Sequence, residues 1–306
     1  MRSLLALIMR GRTQAMTASA VCAVLSLLLP PLSYVSGSVV GLATLKQGPR
    51  EGGLVIAGSV LLAGVFSLAM AGTPLPALAF LAMSWLPAWL LAAILLRTRS
   101  QGAVLVAATA IGMIAVLVLH AVVEAPVQWW RELLERFFAP VFEAAAQQGT
   151  AAQMDVVLDA WAQRMTRFFG AGTVIGLVVT LLLARWGHAV LDNPGGFGRE
   201  FRELRVGRAA QGTAAVVGVI ALFVGGGVGE LARDLMGPLT AMLAFQGLAV
   251  AHGVARERGW ATGWLVAMYL LLVVPPHLAL PALALTGLLD GWADFRARAR
   301  RGSQTP

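Results

Sequence analysis

The chain has 306 residues, 58% hydrophobic and 12% charged, with a formal net charge of +8. A soluble domain carries about a quarter charged residues, whereas several apolar runs here reach the roughly 20 residues that cross a bilayer, so the composition describes a polytopic α-helical membrane protein. It excludes a transmembrane β-barrel, whose short alternating segments are missing from the sequence, and it argues against a nucleic-acid partner, because the basic residues stand at the ends of apolar runs, where they set topology.

Twenty-two of the 23 basic residues are arginine. Cys22 is the only cysteine, which rules out an internal disulfide and any CxxC metal or redox site. The N-terminal MRSLLALIMRGRTQ is basic, leads into an apolar run and lacks a small-x-small cleavage pattern, so a retained first helix is expected.

Residues 13–123 read as the N-terminal helices. The run 15–45 is broken by Pro30-Pro31, because proline removes a backbone donor and clashes with the preceding turn. The expectation is a hairpin of two short helices, the second bearing Gly37 and Gly41 at a spacing that lets helices approach closely. Ala15, Ser19 and Ala23 form another small-residue stripe. A basic loop at 46–51 precedes an outward span at 53–71, a turn at 72–76 and a return span at 77–96. Pro87 lies inside that return span, with Trp85 and Trp89 one turn apart on one face. Two readings stay open for this pair, a packed helix contact and the aromatic wall of a cavity. The span 103–123 then runs outward.

Residues 124–168 read as an extracytoplasmic amphipathic segment. Val127, Trp130, Leu134, Phe137 and Val141 recur at helical spacing, and Met154, Val157, Leu158, Trp161 and Met165 repeat the pattern after a break at Gln147–Thr150. Such a pair can lie on the lipid surface, cap a cavity or link two halves. The span 169–187 returns inward and carries Gly172 and Gly176. A cytoplasmic loop at 188–212 precedes the C-terminal helices, 213–291. Gln246 is the one amide in the span 235–250. The run 262–289 is broken by Pro275-Pro276-His277, a second hairpin, and 292–306 is a basic cytoplasmic tail.

The whole of 1–306 is thus one all-α integral membrane domain with about eight to ten membrane segments, two Pro-Pro-broken hairpins and an outer amphipathic helix pair. The lower number applies if the hairpins are re-entrant. With ten segments and both termini inside, 18 of the 23 basic residues fall in the cytoplasm, as the positive-inside rule requires of a bacterial inner-membrane protein. Interrupted hydrophobic segments near both ends of the chain point to a transporter-like binding site, since broken helices expose backbone groups that protein, water or ligand must satisfy.

No HExxH, GxSxG or P-loop pattern occurs. Enzymatic activity, a metal and a cofactor are not expected, and any ATP-driven step would need a separate protein.

The most informative stretch is 192–208, DNPGGFGREFRELRVGR. Pro194-Gly195-Gly196 is turn chemistry. Phe197, Phe201 and Leu204 follow at i, i+4 and i+7, predicting a short amphipathic helix at the inner membrane surface. It serves either as an anchor or as a docking site, with Phe201, Arg202 and Arg205 facing the partner.

This stretch resembles the YybS-like family of bacterial inner-membrane proteins. Ile8–Arg12, Val250–Gly253 and the ending Gly287–Arg296 are also similar to that family. The family in turn resembles the substrate-binding S components of energy-coupling-factor vitamin transporters. The resemblance implies an outward-facing pocket and coupling to a membrane protein with ATPases, and in S components small residues at i, i+4 spacing on the first helix contact the coupling protein. Ala15, Ser19 and Ala23 match that spacing. The expected function is therefore a small-molecule-binding component of an uptake system, with Trp85, Trp89, Glu230, Arg233 and His277 as pocket candidates. The competing expectation is an interaction or assembly protein of the cell envelope.

Overall fold

A computed structural model describes residues 2–147 and 150–302. Their secondary structure is helical throughout. A short α1 (Arg2–Ile8) precedes α2 (Arg12–Leu25) and α3 (Leu32–Gln47), which flank the Pro30-Pro31 break. α4 (Pro49–Ala71) starts with proline in its first turn and stops at Gly72, whose φ of 66° takes the left-handed conformation that ends helices. The next span is composite: α5 (Leu75–Phe80), a π-helical turn (Leu81–Trp85) and α6 (Leu86–Thr98). α7 (Gln101–Val122) opens on Ser100, whose hydroxyl accepts the Ala103 N–H. That bond satisfies one of the donors orphaned at a helix start.

Beyond the fifth run the structure departs from the sequence reading. The amphipathic segment begins as expected with α8 (Pro126–Phe137) and α9 (Ala139–Gln147). The second amphipathic pattern is not a helix of its own. It is the first part of α10 (Ala151–Asp192), 42 residues long, which runs on without interruption into the apolar span. No proline lies between 151 and 192, and the glycines there weaken a helix without stopping it, so nothing enforces the boundary expected near 168. The expected break at Gln148 and Gly149 lies outside the described residues.

α11 (Gly196–Glu203) and α12 (Arg208–Phe223) meet at a bend of 52°. α13 (Gly226–Glu257) and α14 (Thr262–Val273) follow. Last come α15 (Pro276–Ala293) and α16 (Phe295–Gly302), bent by 67° at Asp294. Among the described residues five helices are long and apolar enough to cross a membrane, and up to seven qualify if each bent pair counts as one span. The chain is a multi-pass helical membrane protein. The arms of the Pro30-Pro31 hairpin, α2 and α3, have 14 and 16 residues, and α14 has 12, each short of a full crossing.

α13 is the axis of the bundle. Its apolar window is 72% buried inside the protein, against 28% for α4, whose Leu61 and Val65 point outward. Two glycines bring α13 against α15. A methyl group on Gly247 would stand 2.0 Å from the Leu283 carbonyl oxygen, and one on Gly287 would stand 2.0 Å from that of Leu243. At the crossing of α7, α10 and α13, Gly112 and Gly170 likewise admit Val174, Val116 and Pro238. Without a hydrophobic drive between helices in lipid, this close packing of small residues is what holds the bundle.

The bundle has two unlike ends. Lys46, Asp192, Arg185, Glu200 and Arg296 gather at one, here the basic end. The Pro30-Pro31 and Pro275-Pro276 breaks and the α8–α9 segment lie at the other, the far end.

Candidate functional site

A cavity of ligand-sized volume lies between α3, the π turn, α7 and α10, toward the far end. It encloses about 650 Å³, and Tyr34, Phe80, Met83, Ser84, Phe169 and Thr173 line it. The π turn is a local consequence of sequence. Pro87 has no N–H, so the Met83 carbonyl lacks its helical donor; the chain widens just before it, and the Leu86 N–H reaches the Leu81 carbonyl. Such single wide turns are frequent at functional sites. On the opposite wall Gly172 leaves open space where a side chain would stand, and Gly176 leaves room for the Tyr34 ring at 3.2 Å. The result is a groove that is apolar with a few hydroxyls, the composition of small-molecule sites.

None of the five pocket residues expected from sequence lines this groove. Trp85 sits behind its wall, fully buried, and its indole N–H donates to the Ser36 hydroxyl at 2.9 Å. A buried indole needs an acceptor, and Ser36 supplies it while donating to the Ser19 carbonyl at 2.8 Å. Trp89 lies one turn nearer the basic end and donates to the Pro49 carbonyl at 2.8 Å. The packed-contact reading of the tryptophan pair is the one the geometry supports. Tyr34, Phe80 and Phe169 are the aromatic wall.

At the far end Glu230 is exposed, and Arg233 donates to the Ala221 carbonyl at 3.3 Å while its own carbonyl accepts Arg167 Nε at 2.8 Å. His277 is exposed at the start of α15. These residues are not brought together. The nearby contact that does form is His120 Nε2 with Asp234 Oδ2 at 3.0 Å.

The small-residue stripe also differs from its expected role. Ala15, Ser19 and Ala23 are buried, at 3%, 0% and 3% exposure, and α2 packs this face against α3 and α4. Ser19 and Ser36 exchange bonds to each other's carbonyls, at 3.2 and 2.8 Å. The stripe is an internal seam, closed to a partner.

The basic end draws together the segments that stood out in the sequence. Asp192 accepts Lys46 Nζ at 2.8 Å. Gly195 adopts a φ of 83°, and a methyl on Gly196 would collide with Asn193, so both glycines are needed for the turn. Glu200 forms a two-pronged ion pair with Arg185. Phe201 stacks on Phe197 and meets His252 edge-on at 5.8 Å. Leu204 is buried as the periodicity required, although it lies just past the end of α11.

The Val206 N–H donates to Gln246 Oε1 at 2.8 Å, and Gln246 Nε2 donates to the Gly287 carbonyl at 2.7 Å. Gln246, the lone amide of its span, therefore ties the loop to both α13 and α15. Arg205 is engaged by Asp294 at 2.6 Å, and the Arg202 carbonyl accepts Arg296 Nη1 at 2.8 Å. The stretch expected to face a partner is thus clasped to its own chain through Arg205, and the Arg202 side chain lines a groove at this end.

Sequence reasoning missed Asp290 and Arg296, a buried ion pair at 2.6 Å. Arg296 belongs to a run that alternates arginine with alanine and reads as a solvated tail. The available signal was Asp294 with Asp290 upstream of it. Aspartate tolerates the left-handed conformation, here φ 43°, that turns the tail back.

Among the described residues no group of three His, Cys, Asp or Glu side chains stands close enough to hold a metal ion. No family model, curated protein or solved structure matches the chain.

Proposed function

We propose that the chain is an integral membrane binding protein whose far-end groove receives a small, largely apolar molecule with a few hydrogen-bonding groups. The observation that carries the reading is the cavity of about 650 Å³ between α3, the π turn and α10. Its volume falls in the range of about 300–1,000 Å³ typical of small-molecule sites. Tyr34, Ser84 and Thr173 offer hydroxyls on an otherwise apolar lining.

Together with the resemblance to S-component-like membrane proteins, this supports a substrate-binding component of an uptake system in the bacterial inner membrane. Both termini would be cytoplasmic and the groove would open toward the outer side. Coupling to an ATPase-bearing membrane protein would use a surface other than the Ala15, Ser19 and Ala23 seam.

The test is purification of the tagged chain from native membranes in mild detergent, with mass spectrometry of co-purifying small molecules and proteins. Gly172→Leu is the matched variant, because nothing stands within 4 Å of the Cβ position at this groove-lining residue. It should fill the groove without disturbing the fold. A small molecule retained by the wild type and lost from Gly172→Leu upholds the binding reading, and a coupling protein with ATPases in the same eluate upholds the transporter role. An empty wild-type groove, or identical small molecules in both preparations, overturns the binding reading. A stable complex with envelope proteins alone favours an assembly role.

A further inference from the structure

The basic end holds a second cavity, separate from the far-end groove. We infer that this cavity, about 340 Å³ between the α11 loop, the end of α13 and α16, is a binding site for a phosphate-bearing anion at the membrane surface.

Three observations carry the inference. The first is charge. Six arginines and two glutamates line the cavity. Two of the arginines are neutralised from behind, Arg205 by Asp294 and Arg296 by Asp290. Arg199, Arg202 and Arg256 make no ion pair with any described residue. The cavity keeps a positive surplus after its own acids are counted.

The second is an orphan donor. Arg296 is 4% exposed, its two terminal nitrogens are bonded to Asp290 and to the carbonyls of Arg202 and Leu204, and its Nε has no protein acceptor. Buried polar groups are almost always satisfied, so an orphan donor on a side chain that lines the cavity points to an acceptor the chain does not itself supply.

The third is position. The cavity lies at the ends of apolar helices, where the headgroups of a surrounding bilayer would reach, and basic pockets between helices on the cytoplasmic side, where the arginine bias puts this end, suit phosphate headgroups. Guanidinium groups match phosphate in planar, paired geometry better than a point charge does. Gly253 contributes by omission: a methyl there would stand 3.0 Å from Arg296 Cδ, so the glycine lets that side chain lie flat across α13.

The shared chemistry is a phosphate ester, whether on an anionic phospholipid or on a soluble compound. The experiment is native mass spectrometry of the full-length chain in detergent, titrated with phosphatidylglycerol, with phosphatidylcholine as control and inorganic pyrophosphate as soluble probe. The wild type should bind phosphatidylglycerol or pyrophosphate and not phosphatidylcholine. Arg202→Gln/Arg256→Gln should weaken that binding about 10-fold or more, a change of about 1.4 kcal/mol. Glu257→Gln should strengthen it, which keeps the inference testable if the double variant folds poorly.

Phosphatidylglycerol that pyrophosphate does not displace identifies a lipid headgroup; pyrophosphate bound with phosphatidylcholine present identifies a soluble phosphate. Binding of neither, or binding undiminished in the double variant and unchanged in Glu257→Gln, overturns the inference. The Gly172→Leu variant must leave this site intact, so failure of the far-end groove and failure of this one are separable.

Discussion

Asp290 and Arg296 form a buried ion pair, Oδ2 to Nη2 at 2.6 Å, with side-chain exposures of 1% and 5%. The same carboxylate accepts the Phe295 N–H at 3.1 Å, and the same guanidinium holds two carbonyls of the 192–208 loop. Removing one partner of a buried pair leaves an uncompensated charge and costs about 3–5 kcal/mol. Asp290→Ala and Arg296→Ala are each expected to lower stability by about that amount. Asp290→Leu/Arg296→Leu should recover part of the loss. Thermal unfolding in detergent, followed by size-exclusion chromatography, measures all three. Equal stability of Asp290→Ala and the wild type would mean that the pair is open in the membrane.

The close approach of α13 and α15 predicts a sharp contrast between glycines. Gly247→Ala and Gly287→Ala each place a methyl 2.0 Å from a main-chain oxygen and should prevent the native packing, with a marked loss of monodisperse protein. Gly53→Ala and Gly64→Ala meet nothing within 4 Å. As helix-interior positions they should be neutral or stabilising by about 0.5–1 kcal/mol. Yield and elution profile of the four variants decide it.

Trp85 supplies a test of whether the tryptophan pair is structural. Trp85→Phe keeps most of the volume and leaves Ser36 without its indole donor, an expected cost of about 1 kcal/mol. Trp85→Ala opens a cavity and should cost about 3–5 kcal/mol. Neither should change the small molecules recovered with the chain as Gly172→Leu does. A Trp85→Phe variant of unaltered stability that loses them would return Trp85 to the binding site.

The tail clasp has a predicted pH dependence. Asp294 accepts from Arg205, and this bond holds its carboxyl below the ordinary carboxylate range. A group whose folded pKa is depressed contributes stability that is present above its unfolded value and lost as pH falls through the folded one. The clasp therefore stands at neutral pH and loosens only on acidification below the usual range for aspartate. A fluorophore on Arg298→Cys, in a Cys22→Ser background, should show anisotropy that is flat near neutrality and falls in acid. Asp294→Asn should show the low value at neutral pH. A midpoint at or above the ordinary aspartate range would contradict the pairing.

Orientation can be read by labelling. Gln153→Cys, exposed near the start of α10, should react with an impermeant thiol reagent in intact cells, and Arg298→Cys only after lysis. The reverse pattern would invert the topology that the arginine distribution implies.

These experiments rest on features of unequal legibility. All ten apolar segments expected from the sequence are helical, because hydrophobic run length and proline placement are local signals. The continuity of α10 was not legible, because the amphipathic and apolar patterns change register without any residue that stops a helix. Tyr34 and Phe169 as groove walls were hidden for a different reason. They are 135 positions apart in the chain, on different helices, and the widened turn before Pro87 lines the space between them. Trp85 looked like a wall because it has helical spacing with Trp89. The acceptor that claims its N–H, Ser36, sits on another helix.

The clasp between the 192–208 loop and α16 also fixes an order of events during synthesis. Arg296 and the Arg202 carbonyl it holds are 94 residues apart in the chain. At about 5–20 residues per second of elongation, the loop waits about 5–20 s before its partner is made. Throughout that interval the Arg202 and Leu204 carbonyls lack the guanidinium that holds them. Closure waits for a side chain 94 positions downstream of the carbonyl it holds. A chain cut before Arg296 lacks that guanidinium and its bonds to Asp290 and to the Arg202 and Leu204 carbonyls, so its loop stays unclasped. The order of synthesis thus leaves the loop dependent on a residue made long after it.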